Sequence, residues 1–159
     1  MRTLFLALGL LTLSLAVQAA PPVTAESPWV REAPPGSSVT AAYLDLVNQG
    51  DETITLVNVR SEEFRRAEIH ETIHEDGQAK MRAVDEIAVP AEGRVELKPG
   101  GKHLMLHEPR EELSVGDWAH LVLEFDNGQL LELAVPVKRR TGRDDDDDHH
   151  DHHEHRGHH

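Results

Sequence analysis

The chain has 159 residues, no cysteine, twelve histidines and a formal net charge of −13. This length allows one ordinary domain with short appendages. The lack of cysteine excludes a disulfide framework, a cysteine-based zinc or iron–sulfur site, a thiol nucleophile and a blue-copper thiolate. The negative charge argues against nucleic acid and anionic membranes as partners, because both are bound through basic surfaces.

Residues 1–19 have the pattern of a secretory signal peptide. Arg2 gives a positive start, Leu4–Val17 is apolar, and small residues precede Ala20. The alternative is a transmembrane anchor, but the apolar run is shorter than the roughly 20 residues that a span needs. We therefore expect export and no membrane insertion of the mature chain. Without a cysteine at the cleavage point we also expect no lipid anchor.

The segment from residue 20 to 143 is predicted to form the folded domain. Short runs of alternating apolar and polar residues recur between turn signals, and no segment shows a long helical period. The strongest turn signals are Asp76-Gly77 and Asp126-Asn127-Gly128. This pattern predicts an all-β fold, an antiparallel β-sandwich. The predicted strands are Thr40–Val47, Thr53–Val59, Ala67–Ile73, Ala79–Val84, Arg94–Leu97, Leu104–His107, Trp118–Phe125 and Leu130–Val137.

Two methionines remain after the signal peptide, and both lie near histidines. Ten residues separate His70 from Met81, and twenty-one separate Met81 from His103. Met105 follows His103 with one residue between them. In the last predicted strand of this group, Leu104 alternates with His103 and Met105, so the two candidate ligands point away from the core or lie at its rim.

Two thioethers and two imidazoles are a soft, neutral ligand set that suits Cu(I). Zn(II) is rarely bound by thioethers. The alternative is that the methionines fill the core and the histidines are ordinary surface residues.

The C-terminal segment, residues 144–159, is a separate Asp/His-rich region. Five consecutive aspartates precede a His-rich run that contains no apolar residue, so we expect disorder. Mixed imidazole and carboxylate ligands suit Cu(II), with Zn(II) as another candidate ion. The alternatives are a purification tag or a solvating acidic tail. The proposed tail ligands are His149, His150, His152, His153, His155, His158 and His159.

An enzyme is not expected. Asp85 and Glu86 are adjacent, and adjacent residues on a strand face opposite sides. An electron-transfer cupredoxin needs a cysteine ligand. A copper mono-oxygenase, or a resistance protein that binds copper through its mature N-terminus, needs a histidine where predicted cleavage leaves Ala20.

The sequence resembles the periplasmic copper chaperones of the PCuAC family. The motifs that carry the resemblance are His70-Glu71-Thr72, Met81-Arg82, Leu97-Lys98-Pro99-Gly100-Gly101 and His103-Leu104-Met105-Leu106, together with the spacings between them. The resemblance runs from about Trp29 to Val137. It implies a cupredoxin-like, Greek-key β-sandwich and a Cu(I) site made by His70, Met81, His103 and Met105.

The same resemblance implies delivery of copper to the CuA subunit of cytochrome c oxidase, often alongside a Sco-type thiol protein. With the signal peptide, it also implies a location in the periplasm of a Gram-negative bacterium. We expect a monomer whose tail recruits extra copper. The alternative function is copper or zinc sequestration without a dedicated client. Three histidines stay without a firm role: His107 is interpreted as a solvated surface residue, His74 lies too far along its strand to share the ion, and His120 has no motif support.

Overall fold

A computed structural model of the protein describes residues 21–139. All of its regular elements are strands, and within this range no helix is long and apolar enough to cross a membrane. The ten strands are β1 (Val23–Arg31), β2 (Val39–Asn48), β3 (Ile54–Ser61), β4 (Phe64–Glu75), β5 (Gln78–Ala83), β6 (Ile87–Val89), β7 (Arg94–Leu97), β8 (Lys102–Pro109), β9 (Trp118–Phe125) and β10 (Leu130–Lys138).

The strands form two sheets, which are connected by the pairing of one strand from each. The larger sheet has the order β5-β4-β8-β7-β2-β1, with β8 also paired to β2, and the smaller has the order β10-β9-β3-β6. Parallel pairing of β1 with β10, at Val30↔Val137 and Arg31↔Lys138, joins them. Most other pairings are antiparallel, the exception being a short parallel contact of β7 with β8. The predicted antiparallel sandwich is therefore confirmed, with two parallel contacts that the sequence did not indicate.

The core lies between the two sheets. Apolar side chains at alternate positions of both sheets form one buried cluster, which includes Leu44 and Leu104 from the larger sheet and Leu56, Leu123 and Phe125 from the smaller. Each of these five side chains is 2% exposed or less. Because successive strand residues face opposite sides, the residues between them are directed to the outer faces, where the candidate ligands lie.

All eight predicted strands are present, and two strands were missed. β1 was missed because its alternation is broken: the pairing register with β2 shifts between Glu26 and Trp29, and Ser27 has a positive φ of 48°. β6 has only three residues, too few for a visible period. The predicted signal peptide, residues 1–19, and the predicted Asp/His-rich tail, residues 144–159, lie outside the described range.

Candidate metal centre

The candidate ligands lie on three neighbouring strands at one edge of the larger sheet. β4 and β5 form a hairpin through Asp76 and Gly77, whose φ values of 53° and 76° are those of a type I′ turn. β4 pairs on its other side with β8. The turn therefore returns the strand with Met81 alongside the strand with His70, as the Asp76-Gly77 signal predicted.

The strand register directs all four predicted ligands to the same outer face. His70 is directly opposite His103. Met105 is opposite the residue two positions before His70, and Met81 is opposite the residue two positions after it. Because side chains alternate with a period of two, these positions share one face. The two methionines are thus diagonal neighbours of His70, a separation that long side chains can span.

Exposure differs strongly among the four side chains. Met81 is 62% exposed and Met105 is half-buried, whereas His103 is only 2% exposed. The expectation of a position outside the core or at its rim is right for the face, but His103 is buried there. Aromatic side chains flank it: the Tyr43 ring lies 6.4 Å from the His103 ring, and Trp29 packs on Tyr43 at 4.7 Å.

The buried His103 ring has one nitrogen paired and the other unpaired. Its Nδ1 lies 3.0 Å from the carbonyl oxygen of Gly101. A carbonyl oxygen only accepts, so Nδ1 carries the proton and donates it. Burial lowers the pKa of the His103 imidazole, which favours the neutral ring. Its buried Nε2 then has a free lone pair and no hydrogen-bond partner in the described part of the chain.

His70 has the same arrangement with its two nitrogens exchanged. Its Nε2 lies 3.0 Å from Oε2 of Glu68. The hydrogen bond from His70 lowers the pKa of the Glu68 carboxyl, so that group is an ionised acceptor and Nε2 is the donor. The buried Nδ1 of His70 keeps its lone pair and has no partner within residues 21–139. A carboxylate that holds the distal nitrogen of an imidazole is typical of histidine metal ligands.

The two free nitrogens belong to rings that are close enough to share one ion. The ring centres of His70 and His103 are 5.8 Å apart. Bonds of about 2 Å from one ion to two imidazoles place the ring centres within about 6 Å of each other. The outer face therefore offers two imidazole nitrogens without hydrogen-bond partners among the described residues, with two thioether side chains as diagonal neighbours.

His107 is not the solvated surface residue that the sequence favoured. Its side chain is 16% exposed, and its Nε2 lies 3.1 Å from the same Glu68 oxygen that binds His70. Glu68 was missed altogether in the sequence. Its position two residues before His70 places both on one face, but the contact with His107 depends on the β4–β8 register, which the sequence does not specify.

His74 and His120 differ in their relation to this centre. His74 is on the same face of β4 as His70 and, opposite Ala79, is a diagonal neighbour of Met81, but it is exposed near the turn end of the strand. His120 is on the smaller sheet, where its Nδ1 donates to Glu63 at 2.8 Å, and this hydrogen bond raises the pKa of the His120 imidazole.

Comparison with known families places the chain among its relatives. Residues 23–137 match the family described as "Putative lipoprotein LpqE-like". The chain belongs to the LpqE-like family. A protein of Leifsonia xyli subsp. xyli named "Putative lipoprotein Lxx21020" is 34% identical over 118 residues, which cover 74% of this chain and 70% of the relative. That name concerns the relative, and the present chain contains no cysteine.

Solved structures with the same fold include the protein DR1885 and PCuAC domains. The Cu(I) form of DR1885 from Deinococcus radiodurans is 32% identical, with a TM-score of 0.63, covering 77% of this chain and 82% of that one. The copper-bound PCuAC domain of PmoF2 is 26% identical, with a TM-score of 0.64, covering 77% of this chain and 97% of that one. The predicted cupredoxin-like β-sandwich is therefore confirmed, as is the likeness to PCuAC domains.

Proposed function

We propose that the protein is an exported copper chaperone that carries Cu(I) in a site made by His70, Met81, His103 and Met105. Copper is the cargo of this site. The names of two similar solved proteins, the Cu(I) form of DR1885 and the copper-bound PmoF2 domain, support copper as the ion. The soft donor set supports the Cu(I) state.

One observation carries the proposal: two buried imidazole nitrogens that have no partner within residues 21–139 lie on the same face as both methionines. Unpaired buried polar atoms are rare in folded proteins and each costs about 1–3 kcal/mol, so their presence needs an explanation. Here Gly101 holds the other nitrogen of His103, and Glu68 holds the other nitrogen of His70. The free lone pair of each ring therefore points away from its acceptor. A metal ion bound by both lone pairs accounts for the arrangement.

The difference in exposure suggests how the cargo is released. Met81 is 62% exposed on β5, a strand whose six residues are all exposed, whereas His103 is buried. An incoming client ligand can displace the Met81 sulfur first, because no core contact has to break. His103 and His70 then hold the ion until further ligands arrive, so the transfer proceeds by stepwise ligand exchange.

We further propose that the client is the CuA subunit of cytochrome c oxidase, with a Sco-type protein acting alongside, and that the protein works in the periplasm as a monomer. The Asp/His-rich tail, residues 144–159, would bind additional Cu(II) or Zn(II) and raise the local metal concentration near the domain. Imidazoles bind metal only when neutral, so capture by the tail weakens as the pH falls through about 6.5.

The site is tested with the variant that carries both His103→Ala and Met105→Ala. Competition with a chromophoric Cu(I) chelator should show a large loss of Cu(I) affinity in this variant. A double variant on the other sheet, His120→Ala with Val122→Ala, is the control and should keep the parent affinity. If the first variant binds Cu(I) as tightly as the parent, the site assignment is wrong.

Transfer kinetics separate a chaperone from a copper or zinc sequestration protein. Cu(I)-loaded protein is mixed with an apo CuA domain, with and without a chelator that traps free copper. A chaperone transfers copper to the CuA domain at a rate that rises with the concentration of that domain and does not depend on the chelator. A sequestration protein releases copper first, so the trap abolishes transfer, and that result would overturn the proposed role.

A further inference from the structure

A second group of potential metal ligands lies beside the candidate Cu(I) centre and shares one residue, His70, with its four proposed ligands. Glu68, His70 and His107 each offer one ligand atom, and these three atoms lie within 4.8 Å of one another. Oε2 of Glu68 is 3.0 Å from Nε2 of His70 and 3.1 Å from Nε2 of His107. All three side chains are half-buried on the outer face of the β4–β8 pair.

The spacing of these atoms matches that of ligands around one small cation. Bonds of 2.0–2.2 Å to a tetrahedral ion separate neighbouring ligand atoms by about 3.3 Å, close to the two measured distances. Two imidazoles and one carboxylate, with a fourth position open, are the ligands of many Zn(II) sites and also suit Cu(II). This donor set is harder than the thioether and imidazole set of the Cu(I) centre.

The charge of the group also favours a divalent cation. The Glu68 carboxylate is hydrogen-bonded by two imidazoles through Oε2. Within residues 21–139, the arginine or lysine that pairs with it is Arg66, whose Nε lies 3.6 Å from the other oxygen, Oε1. An ion can therefore replace the two N–H groups at Oε2 without displacing Arg66. The strands already hold the three ligands in place, so binding needs little reorganisation.

We propose that Glu68, His70 and His107 form a second metal site that binds a borderline divalent cation, Zn(II) or Cu(II), next to the Cu(I) centre. The site goes beyond the proposed chaperone function and shares His70 with it. In the Cu(I) centre His70 uses Nδ1, with a proton on Nε2, whereas the second site needs the lone pair of Nε2. Simultaneous use of both nitrogens requires loss of that proton, so the two ions should weaken each other's binding.

The test uses the full chain in which the seven tail histidines are replaced by asparagine, so that the tail contributes no imidazole. Zn(II) is titrated calorimetrically into this background. We expect one equivalent to bind, and His107→Asn should weaken binding by about tenfold or more, because one ligand of three is lost. With Cu(II) as the probe, the electron paramagnetic resonance signal should show coupling to two nitrogens in the parent and to one in the variant.

The matched control is His120→Asn, which alters the other described cluster of this kind, formed with Glu62 and Glu63. It should leave Zn(II) binding unchanged. Unchanged binding in His107→Asn, or a loss in His120→Asn instead, would overturn the second site. Cu(I) affinity provides the separation from the proposed function: His107→Asn should keep it, whereas Met105→Leu should lower it and leave Zn(II) binding intact.

The sharing of His70 is tested by loading both ions. Protein loaded with Cu(I) should bind Zn(II) more weakly, and Zn(II) should lower the Cu(I) affinity by the same factor, because coupling between two sites is reciprocal. Independent binding of the two ions would refute the shared histidine. A parent chain that binds Zn(II) as expected but fails to bind Cu(I) would refute the chaperone proposal and leave the second site standing.

Discussion

Strand β8 has one face in the core and the other in the candidate metal centre, and paired substitutions can test this division. Leu104 is fully buried, at 0% exposure, with Ala42 and Ile69 as its partners on the neighbouring strands. Leu104→Ala leaves a cavity that should cost about 2–5 kcal/mol. For a domain of this size a loss of 1 kcal/mol lowers Tm by about 4 °C, so we expect a drop of about 8–20 °C.

The next residue should behave in the opposite way. Met105 is half-buried on the outer face, and Met105→Leu roughly conserves volume, so it should cost less than about 1.5 kcal/mol, or 6 °C. It removes one proposed sulfur ligand. Loss of residues that only support a metal ligand already weakens binding about 10–100-fold, so loss of the ligand itself should weaken Cu(I) binding by at least about tenfold.

Two assays give the result. Thermal unfolding of the metal-free protein, followed by circular dichroism, reports Tm, and competition with a chromophoric chelator reports Cu(I) affinity. The expected pattern is a large Tm change in Leu104→Ala and a large affinity change in Met105→Leu. A Met105→Leu variant that unfolds as early as Leu104→Ala, with parent-like Cu(I) affinity, would show that Met105 is a core residue and refute the assignment of faces.

Three further predictions concern supporting residues. Glu68→Ala removes the acceptor that orients His70, so Cu(I) affinity should fall by about 10–100-fold in chelator competition, and a smaller effect would deny that role. The hydrogen bond with Glu63 raises the pKa of His120, so this contact stabilises the fold below pH 6.5. The contribution is lost as the pH rises through the folded-state pKa of His120. In an NMR titration that pKa should exceed 6.5, and Glu63→Gln should return it toward 6.5. Asn48 is 1% exposed, and its side chain donates to two carbonyl oxygens and accepts from one amide. Asn48→Ala should therefore lower the free energy of unfolding by about 2–3 kcal/mol in chemical denaturation. A change near zero would contradict these bonds.

Local sequence patterns predicted most of the fold because the core strands alternate regularly. β9 is an example: Trp118–Phe125 was predicted with the bounds that it has, and its inward residues are buried at every second position. β1 was missed because a bulge shifts its alternation midway, so Val23 and Ala25 face the core before the shift and Val30 after it. A bulge depends on pairing with β2, a tertiary feature that a local pattern does not carry.

The sequence predicted the strand face of the candidate ligands but not their environment. Strand parity placed His103 and Met105 on the outer face, and the structure agrees. It did not predict that His103 would be buried there, because its neighbour Tyr43, on which Trp29 packs, lies on strand β2, distant in sequence. The contact of Glu68 with His107 has the same origin, since it joins residues 39 positions apart through the β4–β8 register.

In the proposed Cu(I) site, the nitrogens of His70 and His103 that have no partner within residues 21–139 link the stability of the domain to the bound ion. Each such buried lone pair costs about 1–3 kcal/mol in the metal-free protein, and a bound ion removes that cost. Binding to the folded state alone then adds stability by mass action. The same preorganisation keeps the imidazoles in place when the exposed Met81 detaches, because Gly101 and Glu68 fix the rings independently of the ion. A site with rigid, buried nitrogens and a loosely held sulfur binds its ion firmly and still offers an incoming ligand a point of entry.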